Sequence, residues 1–105
     1  MRIYCIYNKY MRYEWDENKR LLNLQKHGLD FRDAPGVLSD PFGIEITAVV
    51  NGEERMHFIG ESDSHPMIGF VVYTERPATG RGEIIRIISF RKATKAERSL
   101  YETGI

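Results

Sequence analysis

Polar and hydrophobic positions repeat with two different periods along this chain, and each change of period marks an element. Residues 1–10 are aromatic-rich and only weakly alternating, with Ile3, Cys5 and Tyr7 set against Tyr4 and Ile6. They read either as an extension of the first strand or as a tail upstream of a start at Met11. From Met11 the signals sharpen. Tyr13-Glu14-Trp15 alternates as a short strand does, and Asp16 is a good N-cap for a helix running to about His27. Glu17 in its first turn complements the helix dipole, and Gly28 suits the left-handed residue that ends a helix. On that helix Leu21, Leu22 and Gln25 share a face with Asn18, leaving Lys19, Lys26 and His27 nearer water.

Asp30 then caps a second helix in which Phe31, Ala34, Val37 and Leu38 fall at helical spacing. Pro35 removes an interior hydrogen bond, so this helix is expected to be short or kinked. Beyond Ser39-Asp40-Pro41 the period becomes that of strands. Ile44 to Val50 and Glu54 to Gly60 are joined by Asn51-Gly52, the strongest short hairpin signal in the chain. Ile68 to Thr74 follows, and after a loop from Pro77 to Gly82 comes Ile84 to Phe90. Four isoleucines in that last run leave little for water, which predicts a central strand covered on both faces. Thr94 with Glu97 three residues on makes a capping box for a final helix, with Leu100 and Tyr101 as its apolar contacts. The order strand, two helices, four strands, helix gives an α+β, two-layer domain: N-terminal helices packed on an antiparallel sheet of four to five strands, with a C-terminal helix.

A length of 105 residues fits a single domain spanning 1–105, with 1–12 as an N-terminal extension under the second reading of the start. Apolar residues make up 42%, enough for a modest core. No apolar run approaches the roughly 18 residues of a membrane span, and a cytoplasmic location is expected. The single cysteine, Cys5, has no partner for a disulfide, zinc cluster or redox pair. Fifteen basic and fifteen acidic residues cancel, which argues against coating nucleic acid by bulk charge. Their distribution changes that picture. Residues 76–98 hold seven basic side chains against Glu83 and Glu97, so this stretch carries +5 and the remainder −5. It reads equally as a solvated edge or as a face for a polyanion.

His27, His57 and His65 have no paired spacing and no cysteine support, so no metal site is expected. No glycine-rich loop opens a helix after a strand, and no cofactor is expected either. The unusual feature is arginine within strands: Arg55, Arg86 and Arg91. Each guanidinium needs a carboxylate, a phosphate or water. For Arg86 the ion-pair reading is favoured, with Glu53, Glu54, Glu75 or Glu83 as partner. For Arg55 and Arg91 an anion site reads at least as well, since an arginine fork stabilises a pentacoordinate phosphate. His57 shares strand parity with Arg55, about 7 Å along the strand. If such a site served a metal-free ribonuclease, His57 or His27 would transfer protons, while Arg86, Lys92 and Lys95 would contact the RNA.

Taken in order, Tyr13-Glu14-Trp15-Asp16-Glu17-Asn18-Lys19, Asn23 to Phe31, Glu53-Glu54-Arg55 with Ile59-Gly60, and Arg86 to Ala93 with Glu97-Arg98 and Tyr101 resemble the BrnT family of bacterial toxins. The resemblance implies a RelE-like fold and a metal-free endoribonuclease, the toxin half of a type II toxin–antitoxin pair. It further implies a BrnA-like antitoxin that binds DNA and represses the shared operon, in an assembly of two copies of each chain. The motif positions carried over are His27, Arg55 and Arg91. Phe90 departs from the pattern, standing where a small residue is usual before the arginine, and would alter the pocket. Residues 1–10 have no family counterpart. Two other classes stay open, a non-catalytic antitoxin-binding co-repressor module and a gyrase-directed toxin, since one fold supports several activities. The antitoxin is expected to cover the basic face from Arg76 to Arg98.

Overall fold

The computed structural model describes residues 2–8, 11–77 and 83–104, with side chains for 11–76 and 83–104. Six strands form one sheet: β1 (Arg2–Asn8), β2 (Met11–Asp16), β3 (Ile44–Val50), β4 (Glu53–Glu61), β5 (Ile68–Pro77) and β6 (Glu83–Lys92). The three α-helices are α1 (Glu17–His27), α2 (Ala34–Leu38) and α3 (Lys95–Thr103). Strand order is β1-β2-β6-β5-β4-β3, so β6 is interior as its isoleucines predict. The α+β expectation of helices on a sheet with a C-terminal helix holds. β2 and β6 run parallel, however, with Glu14 opposite Arg86, while every other neighbouring pair is antiparallel. The chain leaves β2 through the helices and the meander before returning beside it, and such a long crossover permits the parallel pairing. Residues 2–8 pair with β2 as a further strand on the sheet edge. Of the expected loop from Pro77 to Gly82, Pro77 closes β5 and the rest lies outside the described residues.

Local signals behave as their chemistry demands. Asp16 accepts from the backbone N–H of Asn18 and Lys19, and Gly28 ends α1 at φ 71°. Asn51 and Gly52 both take positive φ, which turns β3 into β4. Asp30 caps a 3₁₀ turn over Phe31–Asp33 that leads into α2, and Pro35 falls in the first helical turn, where its missing N–H costs nothing.

Side chains of the sheet divide between two faces. Phe58, Val71, Tyr73, Ile85, Ile87 and Phe90 pack with Trp15, Phe31, Ala34 and Val37 beneath the turn at Phe31–Asp33 and α2. On the reverse face Ile59, Phe70 and Ala93 pack with Tyr101 of α3. The switch of parity between Ile87 and Phe90 comes from a bulge. Val72 pairs with Ser89 but Tyr73 with Ile87, so Ile88 is an extra residue in β6. Without it, Ile87 and Phe90 would lie on opposite faces. Phe90 is wholly buried, and Gly69 makes room for it: a Cβ there would stand 2.9 Å from the Phe90 ring. The expectation that Phe90 alters the pocket is therefore corrected, because the bulge turns its ring into the helix-covered core.

α1 also departs from expectation. Leu21 and Leu22 are largely exposed, the latter 64%, and the buried residue of this helix is Asn23. Its Nδ2 donates to the carbonyls of Leu29 (3.0 Å) and Phe90 (2.7 Å), and its Oδ1 accepts from Phe90 N–H (3.1 Å). The register of β2 with β6 ends at Glu14 and Arg86, so Asn23 satisfies the backbone of β6 beyond that point.

Two substitutions test this core. Asn23→Ala orphans buried backbone groups of Phe90 and should cost on the order of 3 kcal/mol. Phe90→Ala leaves a cavity and should cost about 3–5 kcal/mol. Urea unfolding should show both as lowered midpoints with unchanged slope; a near-neutral Asn23→Ala would show that the clamp contributes little.

Candidate functional site

The reverse face is only partly roofed. α3 lies over the Ile59–Phe70 end, and among the described residues no helix joins that cluster farther along β4, β5 and β6 toward Arg55, Thr74 and Arg86. Strand alternation and the Ile88 bulge bring Arg55, His57, Phe70, Val72, Ser89 and Arg91 to this one face. Phe70 is its hinge point. The Arg91 guanidinium carbon sits 4.0 Å from the ring centroid, and His57 meets the ring edge-on at 5.2 Å between centroids. Cation and imidazole are thus fixed on opposite strands by the same aromatic ring.

The arginines differ in how committed they are. Arg91 forms a two-pronged ion pair with Glu97, Nη1 to Oε1 at 2.8 Å and Nη2 to Oε2 at 2.9 Å. Glu97 Oε1 also accepts from Thr94 N–H in the capping box of α3. Its carboxyl is held below the ordinary range by Arg91 first and the Thr94 amide after it, burial opposing. Arg86 does pair, but with a carboxylate outside the four that the meander offers. Wholly buried Glu14 lies opposite it across the parallel register, 3.8 Å from Arg86 Nη1 and 3.1 Å from Arg76 Nη2. Arg55 is the least engaged of the three. Its only salt bridge among the described residues is a long 3.6 Å contact from Nε to Glu53, and its buried Nε makes no hydrogen bond. Half-buried and sharing its face with His57, it is the one of these three arginines best able to receive an anion.

The remaining candidates lie elsewhere. His27 is exposed at the end of α1, and no hydrogen bond, ion pair or ring contact joins it to Arg55, His57 or Arg91 among the described residues. Lys92 and Lys95 are exposed where β6 turns into α3. Of the +5 stretch, Arg91 pairs with Glu97 while Arg76 and Arg86 share the one carboxylate of Glu14, and the cations without an ion pair gather at that corner; Arg81 falls outside the described residues. Sequence reasoning misses Phe70, Glu14 and the dual use of Glu97. Only Glu97 leaves a signal, as the third residue of its capping box.

On the helix-covered side the sheet end is acidic. Glu45, Glu75 and Glu83 border a pocket of about 160 Å³ with Tyr13 and Tyr73, and the Tyr73 hydroxyl donates to Glu45. Glu75 is pushed up to about 7, by its hydrogen bond with Glu83 first and by burial after it. This side therefore repels a polyanion. Among the described residues no three His, Cys, Asp or Glu side chains converge as metal ligands, and no helix is long and apolar enough to cross a membrane.

Glu75 makes stability depend on pH. With a folded pKa above its ordinary 4.5, its protonated contact is complete below pH 4.5 and lost as pH rises through 7. Glu75→Gln should therefore raise the melting temperature at pH 8 and leave it nearly unchanged at pH 4. An identical pH profile for the variant would show that the Glu75–Glu83 contact is not formed.

Residues 15–97 match the family model described as ribonuclease toxin, BrnT, of type II toxin-antitoxin system. No curated protein matches the chain significantly.

Proposed function

Because the chain belongs to the BrnT family of ribonuclease toxins of type II toxin–antitoxin systems, we propose that it cleaves RNA on the open reverse face, without a metal, and is silenced by a BrnA-like antitoxin. The observation that carries this reading is the pairing on one face of a loosely held guanidinium, Arg55, with a half-buried imidazole, His57, that Phe70 fixes in place. An arginine holding the phosphate stabilises the charge added in a pentacoordinate transition state, and neutral imidazole has the basicity for proton transfer near pH 7.

The reaction is an internal transesterification. His57 takes the proton of the 2′-hydroxyl, the 2′-oxygen bonds to phosphorus, and the bond to the 5′-oxygen breaks. Water protonates the departing oxygen, and the hydroxide left behind takes back the proton held by His57. The products are a 2′,3′-cyclic phosphate and a 5′-hydroxyl, with no net redox change. Arg91, neutralised by Glu97, is better suited to positioning than to carrying transition-state charge, since it holds Phe70 and so His57. Arg86, Lys92 and Lys95 supply phosphate contacts along the strand. His27 is assigned no step. We place the reaction in the cytoplasm and expect two toxin and two antitoxin chains in the silenced complex.

A second reading, an antitoxin-binding co-repressor module without activity, draws on the ion pairs that already occupy Arg76, Arg86 and Arg91. Purified protein separates the two. Cleavage of a defined RNA should end in 2′,3′-cyclic phosphate and stop when the scissile nucleotide is 2′-deoxy. Arg55→Ala should slow it about 100- to 1,000-fold and His57→Ala by roughly 100-fold or more, with the fold and antitoxin binding intact. RNA left whole by the wild type, in a chain that still binds antitoxin, would favour the co-repressor.

A further inference from the structure

A second cleft, of about 480 Å³, opens between the β4–β5 loop and the corner where β6 turns into α3. That volume is in the range of sites for small ligands, about 300–1,000 Å³. Lys92 and Arg98 line it, and neither makes a salt bridge among the described residues, in contrast to Arg76, Arg86 and Arg91. Each stands next in sequence to one member of the Arg91–Glu97 pair, Lys92 after Arg91 and Arg98 after Glu97. Lys92 pairs with Gly69, three residues along β5 from the Val72 that joins His57 to Ser89, so the cleft lies at the α3 end of the sheet, beyond the Arg55–His57 pair.

Its far wall is prearranged. Ser62 Oγ accepts from the backbone N–H of Ser64 (3.2 Å) and of His65 (3.0 Å), which folds the loop back on itself. The His65 ring is held through Nδ1 by the Ser64 hydroxyl at 2.9 Å, so Nε2 remains for another partner. Met67 and Ile68 add apolar surface, and Glu61 is the one carboxylate on the lining. Two cations for a phosphate, an apolar wall for a base and a carboxylate for ribose hydroxyl or base N–H donors are the complement of one nucleotide.

We propose that this cleft is an RNA subsite that takes a nucleotide two or more positions from the scissile phosphate, with its phosphate on Lys92 and Arg98 and its base against Met67 and Ile68. This rests on the RNA-cleaving reading above. Glu61 repels phosphate, so the backbone enters from the Lys92–Arg98 side and the sugar and base face Glu61 and His65. The subsite extends the grip on the strand without touching the reacting atoms.

The test is fluorescence anisotropy with 2′-O-methyl RNA oligomers of two to six nucleotides, which cannot be cleaved. Wild type should bind the longer oligomers at least about tenfold more tightly than the shortest, as expected for a charge-assisted contact. The double variant Lys92→Ala, Arg98→Ala should lose that increment, bind the shortest oligomer as wild type does, and show a salt slope shallower by about 0.7 for each phosphate it no longer neutralises. Lys19→Ala, on exposed α1, should behave as wild type, and far-UV spectra should show all variants folded. Equal affinities for wild type and the double variant at every length, with Arg55→Ala weakened, would overturn the subsite alone. An equal loss in Lys19→Ala would reduce it to diffuse charge and overturn it too. No binding by wild type at any length would overturn the RNA reading together with the subsite.

Discussion

The architecture turns on one side chain amide. Asn23 of α1 bonds both the N–H and the C=O of Phe90, where β6 has run past the register it shares with β2. A strand edge buried without such a partner would leave costly orphan groups. The clamp ties α1 to β6 one residue before Arg91, so the helical layer and the reverse face are referenced to the same backbone position. With β6 fixed there, the Ile88 bulge decides which residues go where: Phe90 joins Ile87 in the core, while Ser89 and Arg91 join Arg86 on the open face.

Charge is then allotted residue by residue. Zero net charge conceals a division between an acidic sheet end under the helices and a cationic corner at α3. Buried Glu14 absorbs Arg76 and Arg86, and Glu97 absorbs Arg91 while also capping α3. These pairs hold the arginines in one geometry, and in doing so leave Arg55 as the lightly engaged cation beside His57. A toxin that must be masked by a partner is well served by such confinement, since a small covered area removes most of its hold on RNA.

What is legible in the sequence is local. Asp16 and Gly28, Asn51-Gly52, and Thr94 with Glu97 each declare a cap or turn by residue type alone, and the five strands of the pattern are all present. The shared parity of Arg55 and His57 is likewise readable, since β4 has no irregularity in its pairing. The parallel approach of β2 to β6 is not, because roughly seventy residues separate them and nothing local records it. Hence the partner of Arg86 is expected on the meander and found at Glu14. The bulge is hidden by a run of isoleucines that carries no alternation, so nothing local shows that Phe90, expected at the pocket as a departure from the family pattern, turns into the core. The role of Asn23 is not readable, for want of any sequence signal that its amide replaces a strand. His27 sits in a motif but makes no hydrogen bond, ion pair or ring contact with the arginines among the described residues.

The central claim is that RNA meets the reverse face of the sheet and not the helical layer. It is tested most directly by backbone amide NMR on ¹⁵N-labelled protein titrated with an uncleavable 2′-O-methyl RNA. The account predicts that shifts concentrate at Arg55, His57, Val72, Ser89 and Arg91, with α1 and α2 unmoved. Shifts confined to α1 around His27, with β4 and β6 silent, would contradict it.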